Sequence, residues 1–254
     1  KFNTALIGLS GGIDSALVAV IASAAMGRQN IFSFSLPSKW SSNNSKSDAY
    51  ELAKRLNINI KTISIENVIN SLENEFRKQS NLELAGIANE NIQSRIRGTI
   101  LMAIANQYNH LLLSTGNKSE LAVGYCTLYG DMNGGISLIG DLYKTNVFKL
   151  AHWIDSDQSV QARKKYNLPL TGSIIGNKIL TKPPSAELGP NQLDTDSLPP
   201  YNKLDTILKR IIENKQDSVQ LQEEGFDNEL VLKILSLIKN SEFKRKQAPP
   251  IIKL

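Results

Sequence analysis

The string Gly8-Leu9-Ser10-Gly11-Gly12-Ile13-Asp14-Ser15 follows a short apolar run, residues 4–9, and leads into a segment where Ala16, Leu17, Val20 and Ile21 recur at helical spacing. A strand that becomes a helix across two adjacent glycines constrains the chain strongly. The glycines let the backbone bend so that several N–H groups converge at the helix N-terminus, where the partial positive charge favours a phosphate. Ser10 and Ser15 add hydroxyl donors. The lysine of a Walker loop is missing, which argues against a GTPase or kinase loop. Asp14 would be repelled by bare phosphate, and its presence makes sense if a Mg²⁺ ion lies between the two. A tight turn in which Asp14 and Ser15 merely cap the helix would account for the glycine pair, but not for the whole string.

The pattern continues as strands alternating with helices, which produces a parallel sheet covered on both faces. Residues 31–36 form a second apolar run stopped by Pro37, and Ser45 with Asp48 three residues later reads as the capped start of a helix striped by Ala49, Leu52, Ala53 and Leu56. Residues 58–65 alternate enough for a half-buried strand, and Val68, Ile69, Leu72 and Phe76 mark the next helix. A long helix is predicted over 89–108, where Ile92, Ile96, Ile100, Ile104 and Tyr108 recur every four residues. Asn91 and Arg95 share a different face of it, free to meet a ligand. Residues 111–114 supply a fourth strand, and Val147, Leu150, Ala151 and Ile154 another helical stripe. Residues 181–201 are Pro-rich and polar, the kind of long loop that either covers an active site or is disordered. Two stripes close the chain, one through Leu204, Ile207, Leu208 and Ile211 and one through Leu230, Val231, Ile234, Leu235 and Ile238. The expected architecture is a doubly wound, three-layer α/β/α domain with a central parallel sheet. Its ligand site is expected at the carboxyl ends of the strands, at the switch in strand order.

The 254 residues, 41% of them hydrophobic and 21% charged, suit one or at most two domains with a full core, so a disordered tail protein is ruled out. No apolar run approaches the roughly 20 residues of a membrane helix, and the opening residues lack the pattern of a signal peptide. Lys1, opening directly onto a strand, suggests a processed or excised piece of a longer polypeptide. The net charge of +5 invites a nucleic-acid reading, but the basic residues are scattered, and the one tight cluster, Lys244, Arg245 and Lys246, is short. A small polyanionic ligand suits that balance equally well. A single cysteine, Cys126, excludes an intrachain disulfide, a CxxC pair and a cysteine-rich zinc site, which fits a reducing cytoplasm. His110 and His152 have no carboxylate or cysteine at ligand spacing and read as ordinary histidines.

The S-G-G-x-D-S string resembles the pyrophosphate loop of the ATP pyrophosphatase superfamily, whose members cleave ATP between the α and β phosphates. Several families share that loop. The motifs Asn91-Ile92-Gln93-Ser94-Arg95-Ile96-Arg97, Ser114-Thr115-Gly116-Asn117-Lys118-Ser119-Glu120, Tyr129-Gly130-Asp131, Asp141-Leu142-Tyr143-Lys144-Thr145, Lys182-Pro183-Pro184-Ser185-Ala186-Glu187-Leu188 and Ser197-Leu198-Pro199-Pro200-Tyr201 together resemble NAD⁺ synthetases, in the family's order and over almost the whole chain. The N-K-S-E and P-P-S-A-E-L forms are similar to the synthetase domain of the glutamine-dependent branch.

The resemblance implies an adenine nucleotide alpha hydrolase-like fold, ATP as co-substrate and Mg²⁺. It also implies amidation of deamido-NAD⁺ through an acyl adenylate to NAD⁺, AMP and pyrophosphate. By that resemblance Gly8, Leu9, Ser10, Gly11, Gly12, Ile13, Asp14 and Ser15 hold the ATP phosphates, with Thr115, Lys144, Thr181 and Ser185 as further ATP contacts. Asp14 and Glu120 match the metal carboxylates, and Lys144 matches a lysine on the α phosphate. Asn91, Arg95, Glu120, Tyr125, Thr127, Asp131 and Lys244 match deamido-NAD⁺ contacts, and Asp131 is also suited to positioning ammonia. Asp14, Glu120, Lys144 and Asp131 form the expected catalytic set.

The domain expectation is one synthetase unit over 1–254, with 181–203 as a mobile active-site loop and 204–254 as C-terminal helices and tail. A homodimer, and a glutaminase domain or subunit absent from this chain, are implied as partners, with free ammonia as the other nitrogen source. Lys39, Trp40 and Gly189 depart from residues common in that branch. Two other readings stay open: another ligase of the same loop family acting on a purine nucleotide or tRNA, and a module that binds ATP without transferring anything.

Overall fold

The computed structural model describes residues 2–254. Its sheet has five parallel strands, β1 (Ala5–Gly8), β2 (Ile31–Ser35), β3 (Asn59–Thr62), β4 (Leu111–Ser114) and β5 (Ile136–Ser137), in the order β3-β2-β1-β4-β5. The order therefore reverses between β1 and β4, which pair through Ala5 with Leu111 and Leu6 with Leu112. Alternation along the strands assigns the two cores. Ala5 and Ile7 of β1 and Leu113 of β4 face one cluster, while Leu6 and Leu112 face the other. The first is covered by α1 (Ile13–Met26), α2 (Asn43–Leu56) and α6 (Lys144–Asp155), and the second by α4 (Ile87–Tyr108), with α3 (Glu66–Ser80) packed beside α4. The three-layer α/β/α class is as the sequence predicts.

A satellite core gathers α5 (Lys118–Val123), α9 (Tyr201–Ile212), α10 (Ser218–Glu223) and α11 (Asn228–Asn240) around Leu204, Leu208, Leu221, Val231 and Ile234. The short helices α7 (Val160–Lys165), α8 (Asn177–Thr181) and α12 (Glu242–Arg245) complete the element order. The tail then returns to β5, where Ser137 N donates to Pro250 O and Ile252 N to Ser137 O. No described helix is long and apolar enough to cross a membrane.

Several local expectations are corrected. Helix α2 is capped by Ser42, whose hydroxyl accepts from Ser45 N at 3.0 Å. Ser45 and Asp48 do not form the cap, because both face Lys182 instead. Strand β3 is an edge strand and mostly exposed rather than half-buried. Tyr108 is 66% exposed although it continues the four-residue stripe, since each step of four turns a helix about 40° past a full revolution and carries the stripe off the sheet. Helix α9 begins at Tyr201, so the covering loop ends at residue 200 rather than 203.

The loop's N-terminal root is held by a buried carboxylate. Asp155 accepts from the backbone N–H groups of Ile174 (2.7 Å), Ile175 (2.9 Å) and Gly176 (2.6 Å), with Arg163 3.8 Å away, while Arg55 donates to the carbonyls of Ile174 and Ile175. Asp155→Ala would leave three buried donors unmatched and remove the carboxylate beside Arg163, whose N–H groups stay bonded to the carbonyls of Ile154, Pro169 and Gly172. The expected cost is about 3–5 kcal/mol in urea unfolding, and a loss below about 1 kcal/mol would contradict this assignment.

Candidate active site

The carboxyl ends of β1 and β4 open into a cleft of about 680 Å³, lined among others by Gly8, Ser10, Asp14, Ser114, Thr115, Glu120, Lys144 and residues 182–189. The glycine loop is fixed by its own serines. Gly12 N donates to Ser10 Oγ at 3.1 Å, Ser10 N to Ser15 Oγ at 3.3 Å, and Ser15 Oγ to Gly12 O at 3.1 Å. No side chain caps α1, which leaves the N–H groups of its first turn without a side-chain acceptor at the floor of the cleft. Gly11 takes φ +81° against the start of α2.

Three charged side chains from three elements converge beside this loop. Lys144 opens α6 and is only 2% exposed; its Nζ lies 2.5 Å from Asp14 Oδ2 and 2.9 Å from Glu120 Oε1. Asn117 links two of these elements. Its Oδ1 accepts Glu120 N and caps α5, while its Nδ2 donates to Asp14 Oδ1 at 2.9 Å. Burial alone works against the charged lysine, but Asp14 and Glu120 overcome it and raise its pKa. Burial also pushes Glu120 up to about 7, with Lys144 opposing and Asp14 reinforcing the rise.

The covering segment lies across the mouth of the cleft. Lys182 donates to Gly11 O at 3.1 Å and pairs with Asp48, and Glu187 accepts from Ser42 and Ser45 of the α2 start. Ser185 lines the cleft, but its hydroxyl is engaged by Gln192 O. Thr181 does not join the site: it is exposed at the end of α8 and donates to Asn177 O.

On the other wall, Glu120, Tyr125 and Asp131 line the cleft. Asn91, Arg95, Thr127 and Lys244 fall outside its lining and brace the 124–128 segment. Thr127 Oγ1 donates to Asn91 Oδ1 at 2.7 Å, Arg95 Nε to Leu128 O at 3.2 Å, and Lys244 Nζ to the carbonyls of Gly124 and Cys126, both at 2.7 Å. The face shared by Asn91 and Arg95 thus carries protein contacts of its own. Asp131 opens onto the cleft, and the packing around it raises its pKa despite the hydrogen bond from Thr127 N. Burial pushes the Cys126 thiol up to about 12, which keeps it protonated and unreactive. His110 is a packed histidine, bonded to Thr4 and stacked on Phe32.

A family model described as NAD synthase matches residues 1–248. The chain belongs to the NAD synthase family. It is 51% identical over 253 residues to the glutamine-dependent NAD(+) synthetase of Synechocystis sp., covering all of this chain and 43% of that protein. It therefore spans less than half the length of the glutamine-dependent relatives that it matches. Among solved structures, it resembles a glutamine-dependent NAD⁺ synthetase from Acinetobacter baumannii in complex with ADP (36% identity, TM-score 0.64), covering 100% of this chain and 43% of that one. It also resembles an NMN synthetase from Francisella tularensis (29% identity, TM-score 0.74), covering 100% and 89%.

Within this NAD synthase fold, several polar residues of the site had no role assigned from sequence. They are Asn117, Arg97, Lys182 and Tyr201, which stand in the family-like motifs, and Asp194 and Asp205, which lie outside them. Arg97 lines the cleft and donates to Leu36 O at 2.9 Å; burial lowers its pKa to about 10, which leaves it charged at neutrality. Asp205, 2% exposed, accepts from Ser119 Oγ at 2.5 Å and Thr145 N at 2.8 Å, holding the backbone beside Glu120 and Lys144. The available signal was an aspartate inside the apolar stripe of α9, which a solvated face does not require.

Proposed function

We propose that this chain carries the ATP-dependent amidation of deamido-NAD⁺. The observation that carries this reading is the Lys144 ammonium bridging Asp14 and Glu120 at the mouth of a phosphate-type loop. A carboxylate oxygen of the nicotinate attacks the α phosphorus, the bond to the β-phosphate oxygen breaks, and pyrophosphate leaves. Ammonia then attacks the acyl carbon, AMP leaves, and the nitrogen loses a proton. Neither step needs a protein nucleophile, so alignment and charge neutralisation are the protein's contribution.

In this reading the main-chain amides from Gly8 to Ser15, with Thr115 and Ser185, receive ATP, and Lys144 follows charge onto the α phosphate. Asp14 and Glu120 reach one common cation in the ligand-free protein, so their donor set fits Mg²⁺, which favours one or two carboxylates together with phosphate oxygens and water. Among the described residues no cluster of three or more His, Cys, Asp or Glu could hold an ion alone, which agrees with a metal that arrives with the nucleotide. When bound, Mg²⁺ neutralises charge on the phosphates. Glu120, Tyr125 and Asp131 meet deamido-NAD⁺ at the cleft, while Asn91, Arg95, Thr127 and Lys244 shape the adjoining wall. A homodimer, a glutaminase domain or subunit as ammonia source, and a cytoplasmic setting follow from the family resemblance.

The test is AMP release from ATP and Mg²⁺ with deamido-NAD⁺ and ammonium, set beside glutamine as the only nitrogen source and beside the corresponding mononucleotide as acceptor. Preference for a purine nucleotide or tRNA, or binding without pyrophosphate release, would overturn the reading. Asp131 adds a pH prediction. Its carboxyl is raised to about 6, so it becomes protonated as pH falls through that value and can no longer take a proton from ammonium. Asp131→Asn is expected to raise the KM for ammonium about tenfold or more, leave the KM for ATP within about twofold, and remove the contribution near pH 6 to the acid limb while that of Glu120, near 7, remains.

A further inference from the structure

Helix α9 presents Tyr201 and Asp205 four residues apart, on one face, toward α5 and α6. Asp205 fixes backbone beside the two catalytic side chains, as described above. Tyr201 reaches one of those side chains directly: its hydroxyl lies 3.1 Å from Glu120 Oε1. The same hydroxyl is 2.7 Å from Asp194 Oδ2, and Asp194 also accepts from Tyr125 OH at 3.2 Å. Asp194 is 4% exposed and belongs to the covering segment, within the 3₁₀ turn Asp194–Asp196. A buried carboxylate of the cover thus shares one hydroxyl proton with a carboxylate of the reaction site. The Tyr201 ring is held independently, packed against the satellite core and 5.2 Å from Lys144 Nζ.

We propose that Tyr201 and Asp194 are positioning residues that tie docking of the covering segment to the placement of Glu120. The inference rests on the amidation reading and deepens it. A carboxylate with free rotamers would be aligned only part of the time, whereas one held by a hydroxyl and an ammonium is aligned before substrate arrives. When the segment docks, Asp194 orients the Tyr201 hydroxyl, and that hydroxyl limits where Glu120 can point. Other contacts of the cover, Gln93 Nε2 with Leu188 O at 2.9 Å, Gln192 Nε2 with Glu90 Oε2 at 3.2 Å and Lys182 Nζ with Gly11 O at 3.1 Å, do not reach Glu120. They can hold the cover down but cannot report its position to Glu120.

The experiment compares the full chain with Tyr201→Phe, Asp194→Asn and the double variant, using steady-state amidation with ammonium and thermal unfolding. Tyr201→Phe keeps the ring and removes only the hydroxyl. The expected result is a kcat about 10- to 100-fold lower in each single variant, the size of one hydrogen bond to a charged group, with the KM for deamido-NAD⁺ within about twofold and cooperative unfolding retained. Because both residues act through one path, the double variant should lose no more than the worse single one. Unchanged kcat with a raised KM for ATP would mean the pair only anchors the cover, and multiplied losses would mean two independent roles; either overturns the proposal. Should the unaltered chain release no AMP with deamido-NAD⁺, the amidation reading itself falls and the proposal with it.

Discussion

Lys144→Met should lower kcat/KM by about 10²- to 10³-fold and destabilise the ligand-free protein by about 3–5 kcal/mol, a drop in Tm of roughly 6–15 °C for a chain of this size. Both effects come from one atom. The ammonium is almost fully buried and neutralises two carboxylates at 2.5 and 2.9 Å, so its removal leaves Asp14 and Glu120 facing each other without a counter-charge. Methionine fills the space but supplies no charge, which separates this loss from a cavity effect.

The stability penalty should depend on pH. Glu120 has a folded pKa raised above its ordinary 4.5, to about 7 even with the lysine present. Such a carboxyl adds to stability below 4.5, and that contribution disappears as pH rises through the folded value. Without Lys144 the folded value moves higher still, so the difference in Tm between the variant and the unaltered protein should widen as pH rises above about 7, where Glu120 ionises in the parent but stays protonated in the variant. A variant as stable as the parent at pH 8, or equally active there, would remove the ion triad from both roles.

The strand–loop–helix unit around Gly11, the sheet class and the main helical stripes could be read from sequence because each is local: its signal repeats within a dozen residues. What could not be read was short. Strand β5 has two residues, and α5, α7, α8, α10 and α12 have four to six, too few turns for a period to show. The site divides in the same way. Asp14, Glu120 and Lys144 stand in recognisable strings, but their meeting joins residues 130 and 24 positions apart. Asn117 meets Asp14 across 103 positions, and Tyr201 meets Glu120 across 81. No periodicity records such partners. Resemblance supplied residue types for Asn91, Arg95, Thr127 and Lys244, yet only the folded chain reveals that their polar groups brace the 124–128 segment.

Gly11→Ala is the sharpest test of the loop itself. At φ +81° an alanine is strained by about 1–3 kcal/mol before any contact is counted. Its Cβ would also stand 2.1 Å from Ser45 O and 2.9 Å from Ser45 Cα, and these are backbone atoms of α2 that no rotamer change can move aside. Either the loop lifts or the start of α2 retreats, adding about 1–3 kcal/mol of overpacking. Lys182 grips both partners, Gly11 O and the Ser45 hydroxyl, so displacement of one loosens the covering segment as well. Gly12→Ala makes a fair comparison: its φ is −92° and its nearest neighbour is the Ser10 hydroxyl at 3.2 Å, a side chain able to yield. The expected outcome is a Tm lower by roughly 4–15 °C for Gly11→Ala and ATP binding weakened at least about tenfold by calorimetry, with much smaller changes for Gly12→Ala. If both alanines bind ATP as the parent does, the bend between β1 and α1 is not what holds the triphosphate.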